Sequence, residues 1–520
     1  MKKQNRFLTL AVAGLLAWSG TDNTYAQSGP ATPAAYEMYQ ATGLWMRSRN
    51  SAGLMLDDYR VYTHLDAGYR YTGGEFRRPQ QGKYENQLFI GVEGAAALPD
   101  LYAWGRFAHE RNYEQQVRFN ASIIDPYRGM PYYLVDAYPS QWEKHSYDMN
   151  FRMATRELGK RLRLGVEGRY VAQAGGKQND FHSDNRYLFL QLRPGVVVSP
   201  ADKHHIGLNF DYYAVKEEAE TNLVYNNDAY GFYYNLGLGM GTYNRTLQRF
   251  TNFKGNSVGG AVQYNFQGDK FRLLAEGSYA YRVEDAFMRF TEPRPDGSVK
   301  VADWQAAARL FTLGVNRHQF EVRYSDCDLK GIQYLTEPRK DGEATYYDVI
   351  YSSIRLIDRS RRFELNYDLF LQGGSEYRWK LSAAVRYGRD KVNYILPDSR
   401  MRLENWLFSG TVKRNMVLPS ALARRILLAL EGGYNYNPAY LFDYNGPNTL
   451  DDAVLELAVT DYKYLRSRYH YLGGSVTYSQ RIREELRANL FAKAEYCYTE
   501  ALHKGSAVRE QFRVSLGCNF

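Results

Sequence analysis

From Val508 to Phe520 the chain reads VREQFRVSLGCNF. Val508, Phe512, Val514, Leu516 and Phe520 share one parity; Arg509, Gln511, Arg513, Ser515 and Asn519 share the other. Side chains of a strand alternate between faces, so one face is apolar (Glu510 excepted) and the other strongly polar. A strand of this kind divides an oily medium from a wet one. A chain built from many of them is restricted to a few all-β arrangements.

The pattern recurs along the sequence as an alternating segment, a short polar turn, another alternating segment and a longer polar loop. Leu88, Ile90 and Val92 precede Pro99-Asp100, and Leu101, Ala103 and Phe107 follow. Leu188, Leu190, Val196 and Val198 precede Pro200-Ala201-Asp202; Ile206, Leu208, Phe210 and Tyr212 follow. The same alternation flanks Gly268-Asp269 and Pro419-Ser420. A first strand, Tyr59 to Tyr71, has no upstream partner. The tally is about eighteen strands, with about sixteen as the alternative, because boundaries read from one sequence shift by a few residues. The expected fold class is all-β, an antiparallel transmembrane β-barrel with short turns periplasmic and long loops external. Secreted sandwiches and propellers also alternate, but their turns need not alternate short and long.

The start of the chain fits export. Lys2, Lys3 and Arg6 precede an apolar run from Phe7 to Trp18, and Thr24-Tyr25-Ala26 places small residues for cleavage after Ala26. The expected organisation is a leader over 1–26, an N-terminal segment over 27–57 and a barrel over 58–520. No later segment approaches the roughly 20 apolar residues of a membrane helix. A mean hydropathy of −0.55 is compatible with a barrel, where only alternate residues meet lipid.

The formal charge is +9, of which the leader carries a net +2. Charges of both signs are interspersed, so no nucleic-acid partner is implied, and a cationic wall beside outer-membrane lipid accounts for the excess. Three cysteines make no disulfide framework. The 47 tyrosines suit a membrane interface, where a ring is apolar and its hydroxyl wet.

Two segments read as helices. Thr32 can cap a helix with Pro33 at its first position. Thr449 to Asp452 opens another in an external loop, with Asp452 completing a capping box. The polar parity supplies the expected lumen charges: Arg152, Arg163, Glu167, Arg169, Arg193, Arg272, Glu276, Arg309, Glu321, Arg323, Glu364, Arg386, Glu431, Arg487, Glu495 and Arg513. Arg169 is placed to reach Glu167, and Glu495 to meet Arg509 or Arg513. These charges serve either as a bracing ion-pair network or as the lining of a selective pore.

The terminal strand, with Phe512, Val514, Leu516 and Phe520, resembles the signal that the barrel assembly machinery reads in outer-membrane barrels. Asn50-Ser51-Ala52-Gly53-Leu54 is similar to the Asn-Pro-Ala-Gly-Leu stretch near the N-terminal hatch of the long-chain fatty acid transporter family, with Ser51 in place of proline. That resemblance implies a plug inside the barrel and a hydrophobic ligand; a periplasmic flap is the alternative. The strand Leu101-Tyr102-Ala103-Trp104-Gly105-Arg106, the tyrosine-rich loops and the Phe520 ending resemble the uncharacterised outer-membrane barrels of Bacteroidota. The resemblance implies nutrient uptake and a TonB-dependent or other envelope partner. The segment before the first strand is too short for a plug domain of the TonB-dependent type.

The residues offer no catalytic constellation. Gly-x-Ser-x-Gly is absent, and no histidine pair has helical metal-ligand spacing, so no enzyme activity, cofactor or metal is expected. His109, Asp326 and Asp328 are the best candidates for a rim hydrolase. Leu236 to Gly241 is expected to be a flexible loop, and Tyr230, Phe232, Tyr233, Tyr234 and Tyr243 either a ligand-stacking surface or a lip on the membrane. The leading function is a passive or partner-assisted conduit for small or amphipathic solutes. A non-transporting component of an uptake or secretion complex comes second.

Overall fold

The computed structural model describes residues 27–28, 32–159, 161–179, 181–224, 231–244, 248–289, 293–342, 344–371, 374–482, 488–502 and 506–520. The expected leader, Tyr230 and Arg487 lie outside the described residues.

Eighteen strands form the wall: β1 (Arg60–Gly74), β2 (Tyr84–Ala97), β3 (Leu101–Val117), β4 (Ser140–Thr155), β5 (Leu162–Lys177), β6 (His182–Ala201), β7 (His204–Asn222), β8 (Gln248–Gln267), β9 (Phe271–Met288), β10 (Arg294–Thr312), β11 (Arg317–Asp341), β12 (Ala344–Leu371), β13 (Trp379–Tyr394), β14 (Ser399–Val417), β15 (Arg425–Asp443), β16 (Tyr469–Arg481), β17 (Asn489–Ala501) and β18 (Val508–Asn519). Each pairs antiparallel with its sequence neighbours, and β18 returns to β1. At the seam the Thr63 and Phe520 backbones exchange both hydrogen bonds, at 2.7 and 3.0 Å. Closure leaves the wall no open edge.

The alternation sorts the side chains as a barrel requires. Leu190, Leu208, Val262, Leu430 and Leu472 point outward, and Leu516 is 68% exposed. Their neighbours of opposite parity, such as Gln263 and Asn265, are fully buried inside. Toward the loop end, Tyr324, Phe363, Tyr387, Trp406 and Tyr436 stand in register on β11 to β15, one opposite the next. The Tyr387 and Trp406 rings lie 4.8 Å apart. An apolar girdle edged with aromatics is what a membrane-spanning barrel presents to lipid. No helix among the described residues is long and apolar enough to cross a bilayer.

The loop end departs from a simple set of long polar loops. β11 and β12 run 25 and 28 residues and meet at a tight turn on Gly342, at φ +63. Beyond Gln333 on β11 and before Leu356 on β12 they pair only with each other, as a free ribbon. Leu236 to Gly241 is likewise no flexible loop. The strands Phe232–Gly237 and Met240–Asn244 form a hairpin whose turn uses positive φ at Gly237, Leu238 and Gly239.

Two helices are described. Thr32 accepts the Ala35 N–H at 3.2 Å and caps α1 (Pro33–Thr42), as its sequence predicts. α2 (Ala453–Leu465) starts later than expected, with Asp452 as its N-cap. The Asp452 carboxylate accepts the Thr449 N–H at 2.7 Å, half of the expected capping box, but it closes a separate turn before the helix.

Candidate functional site

The lumen is filled from both ends. At the turn end sits the N-terminal segment from Thr32 to Asp57, which we call the hatch. At the loop end sits a cork made of the 118–139 loop, the Phe232–Asn244 hairpin and α2.

The hatch rests on an apolar collar. Ala34, Met38, Ala41, Leu44, Trp45 and Ala52 pack with Val197, Leu274, Phe311, Phe370, Tyr377 and Leu427. Five of these wall residues lie on strands in the otherwise polar parity, close to the short turns. Burying Leu44 and Trp45 alone favours docking by roughly 3–6 kcal/mol on the usual side-chain scale. The 3-10 turn Ser51–Leu56 then presses against β4, β5 and β6. A Cβ on Gly165 would stand 2.2 Å from Ala52 N, and one on Gly195 2.2 Å from Asn50 Oδ1. Only glycine lets the hatch backbone come this close.

Polar contacts fix its register. The buried Asn50 amide donates toward Val196 O at 3.0 Å, Leu208 O at 3.2 Å and Gln263 Oε1 at 3.0 Å, bridging β6, β7 and β8. Trp45 Nε1 donates to Asn265 at 3.1 Å. Ser48 Oγ and the Arg49 N–H both donate to Glu276, at 2.7 and 2.9 Å. Lys413 Nζ reaches Glu37 at 2.9 Å, and Arg152 donates to Met46 O at 2.6 Å. Asp57 closes the segment by accepting the Leu44 and Met46 N–H groups at 3.1 and 2.9 Å. Burial pushes its carboxyl up to about 7, against the pull of those donors and of Arg272.

Many of the expected lumen charges meet in a network. Glu321 takes three guanidinium groups: Arg47 of the hatch, and Arg309 and Arg323 of the wall, the last two at 2.7 Å. Arg193 joins Glu167 at 2.9 Å to Asp211 at 2.8 Å, and Arg152 reaches Glu167 at 3.2 Å. Arg386 pairs with Glu364 at 2.8 Å. Arg163 pairs with Glu157 at 2.6 Å near the turn end. Arg513 stands 3.6 Å from Glu495 and 3.4 Å from Asp66. Arg272 and Glu431 face inward without an ion pair among the described residues.

One expected pairing is corrected, and the choice left open at Glu495 falls to Arg513. Arg169 turns to Asp148 on β4, at 2.7 Å, because Arg152 and Arg193 already occupy Glu167. Arg509 takes Glu85 on β2 at 2.9 Å, leaving Glu495 to Lys493 and Arg513. Between hatch and wall remain cavities of about 480 Å³, lined by Glu37, Met46, Arg152, Asp368, Lys380 and Lys413, and about 370 Å³, lined by Arg47, Arg49, Glu276, Arg309, Arg323 and Glu364.

The cork is a second hydrophobic core. Phe119, Tyr132, Phe232, Tyr234, Met240 and Val454 pack against wall residues Phe253, Val299, Val301, Leu329 and Leu356. Phe232 and Tyr234 are therefore neither a lip nor an exposed stacking surface; they are buried in the mouth. Arg128, on the 118–139 loop, is ion-paired to Glu217 and, at 2.8 Å, to Glu284 of the wall.

Phe512, Val514 and Leu516 face outward on β18, and Phe520 ends the seam. His109 stacks on Tyr147 at 4.5 Å, while Asp326 and Asp328 pair with Arg361 and Arg359 on a different part of the wall. No cluster of three or more His, Cys, Asp or Glu able to hold a metal is found among the described residues.

A family model described as a family of unknown function, DUF6850, matches residues 51–520, and the chain belongs to that family. No curated protein matches the chain. Among solved structures it is similar to the copper transporter OprC, at 9% identity and a TM-score of 0.41, covering 88% of this chain and 81% of that one. It is similar to the RagAB peptide transporter at 7% identity and a TM-score of 0.38, covering 89% and 87%. The ferric yersiniabactin uptake receptor FyuA from Yersinia pestis gives 9% identity and a TM-score of 0.40, covering 88% and 79%.

Proposed function

We propose that this DUF6850 barrel is a gated conduit of the outer membrane for small or amphipathic solutes, opened passively or by an envelope partner. One observation carries the reading: the turn end of a charged, cavity-bearing lumen is filled by the chain's own N-terminal segment, seated in glycine-lined space and held by reversible polar contacts. A permanently solid barrel would need neither the shaped glycines nor cavities of ligand size. The hatch offers a periplasmic partner a handle, since a pull on its start acts on α1 and the collar first. The conduit performs no reaction in this account.

A second reading draws on the ribbon. Its two strands have unpaired edges and exposed Leu335, Tyr346, Val349, Ile350 and Tyr351. A lone two-stranded ribbon is marginal in water, and free edges invite another chain. That favours a surface complex in which the barrel is an anchor.

Liposome swelling separates the two. Vesicles carrying the chain without residues 28–57 and with all three cork segments (118–139, 232–244 and 453–465) replaced by short linkers should swell in small solutes and resist large ones. A folded barrel of this kind that admits no solute supports the anchor.

A further inference from the structure

The outer wall carries a cationic patch that the conduit does not use. One pleat repeat beyond the aromatic row, toward the loops, Asp326, Arg361, Arg389 and Glu404 stand in register on β11 to β14. One repeat further stand Asp328, Arg359, Lys391 and Arg402. All eight share the outward parity of Tyr324, Phe363, Tyr387 and Trp406. Arg361 is therefore opposite Arg389, and Lys391 has Arg359 on one side and Arg402 on the other. Like charges directly opposed across a sheet destabilise it.

The carboxylates lie at the flanks. Asp326 pairs with Arg361 at 2.9 Å and Asp328 with Arg359 at 3.3 Å. Glu404 serves both Arg389 at 3.2 Å and Arg402 at 2.7 Å. Five cations thus face three carboxylates. Lys391, exposed at the centre, has no ion pair among the described residues. The arrangement is incomplete without an anion from outside the chain.

Depth identifies that anion. Aromatic belts mark the boundary between hydrocarbon and headgroups. At about 3.4 Å per residue, the two rows stand roughly 7 and 14 Å along the strands beyond the belt. This is the headgroup layer at the loop end. Phosphate is the group there that arginine forks bind in bidentate fashion.

We propose that the Arg359–Arg361–Arg389–Lys391–Arg402 patch binds the phosphates of a glycolipid headgroup in the outer leaflet. Neighbouring strands are about 4.8 Å apart, so cations on three strands span a headgroup carrying more than one phosphate. The proposal rests on the membrane placement of the barrel and is independent of conduction.

Native mass spectrometry of the full chain in detergent, with bis-phosphorylated lipid A as probe, tests it. The combined variant Arg359→Gln, Lys391→Gln, Arg402→Gln should lose at least about tenfold in lipid retention, on the usual scale of surface cations facing anionic lipid. Lys391→Arg should keep it, as should Arg339→Gln on the distant ribbon. Each variant is checked for the heat-dependent gel mobility of a folded barrel. Wild-type retention by the folded triple variant would overturn the proposal. So would equal binding of dephosphorylated lipid A, or full displacement by inorganic phosphate, which would assign the patch to free anion. Flotation of the wild-type chain with phosphatidylcholine vesicles tests the membrane placement separately.

Discussion

Asn50 Nδ2 stands 3.0 Å from Gln263 Oε1, 213 residues further along the chain. This contact joins the hatch to the turn-end half of the wall at a site where both residues are fully buried. Asn50→Ala leaves the Val196 and Leu208 carbonyls and Gln263 with one partner fewer each. The expected cost to hatch docking is about 1–3 kcal/mol. Limited proteolysis of the hatch in the folded barrel should speed up by about tenfold or more on that energy scale.

Gly165→Val tests the same docking from the wall. Valine suits a strand, so the barrel should assemble normally. Its side chain would occupy the place of Ala52, whose N lies 2.2 Å from the Cβ position. The hatch should become cleavable while the gel mobility of the barrel is unchanged. A hatch that stays protected would show that it seats elsewhere.

Glu321→Gln should weaken both wall and hatch. It leaves Arg47, Arg309 and Arg323 facing one another without their shared carboxylate. Breaking a buried pair costs about 3–5 kcal/mol, and here the lower end applies because Arg323 is half exposed. The thermal unfolding midpoint should fall, and Arg309→Gln added to Glu321→Gln should recover part of the loss.

The alternation made the barrel legible. Strict runs such as Leu188 to Val198, ended by Pro200-Ala201-Asp202, located the short turns, and Thr32-Pro33 located α1. The collar was not legible in the same way. Val197, Leu274, Phe311, Phe370 and Leu427 break the polar parity beside turns, and each alone looks like an irregularity. Taken together, apolar residues in lumen positions at one end of many strands are the signal of a docked plug. Ion partners were hidden for another reason: Arg169 meets Asp148 through a register that neither strand encodes by itself. The ribbon was missed because Glu337-Pro338-Arg339-Lys340-Asp341-Gly342 has the composition of a loop.

Hatch docking should depend on pH through Asp57. Its carboxyl rises from 3.8 to about 7 on burial, so the docked state favours the protonated form. The contribution is complete below the ordinary carboxyl value and is lost as pH rises through about 7. Hatch cleavage should therefore be faster at alkaline than at mildly acid pH. Asp57→Asn, neutral throughout, should flatten that profile whatever its absolute rate.

Single-channel conductance in planar bilayers tests the gated lumen most directly. The intact chain should be closed for most of the record, because hatch and cork each block one end. Removing residues 28–57 and replacing the three cork segments 118–139, 232–244 and 453–465 with short linkers should give sustained currents. A folded double variant that remains as closed as the intact chain would contradict the account.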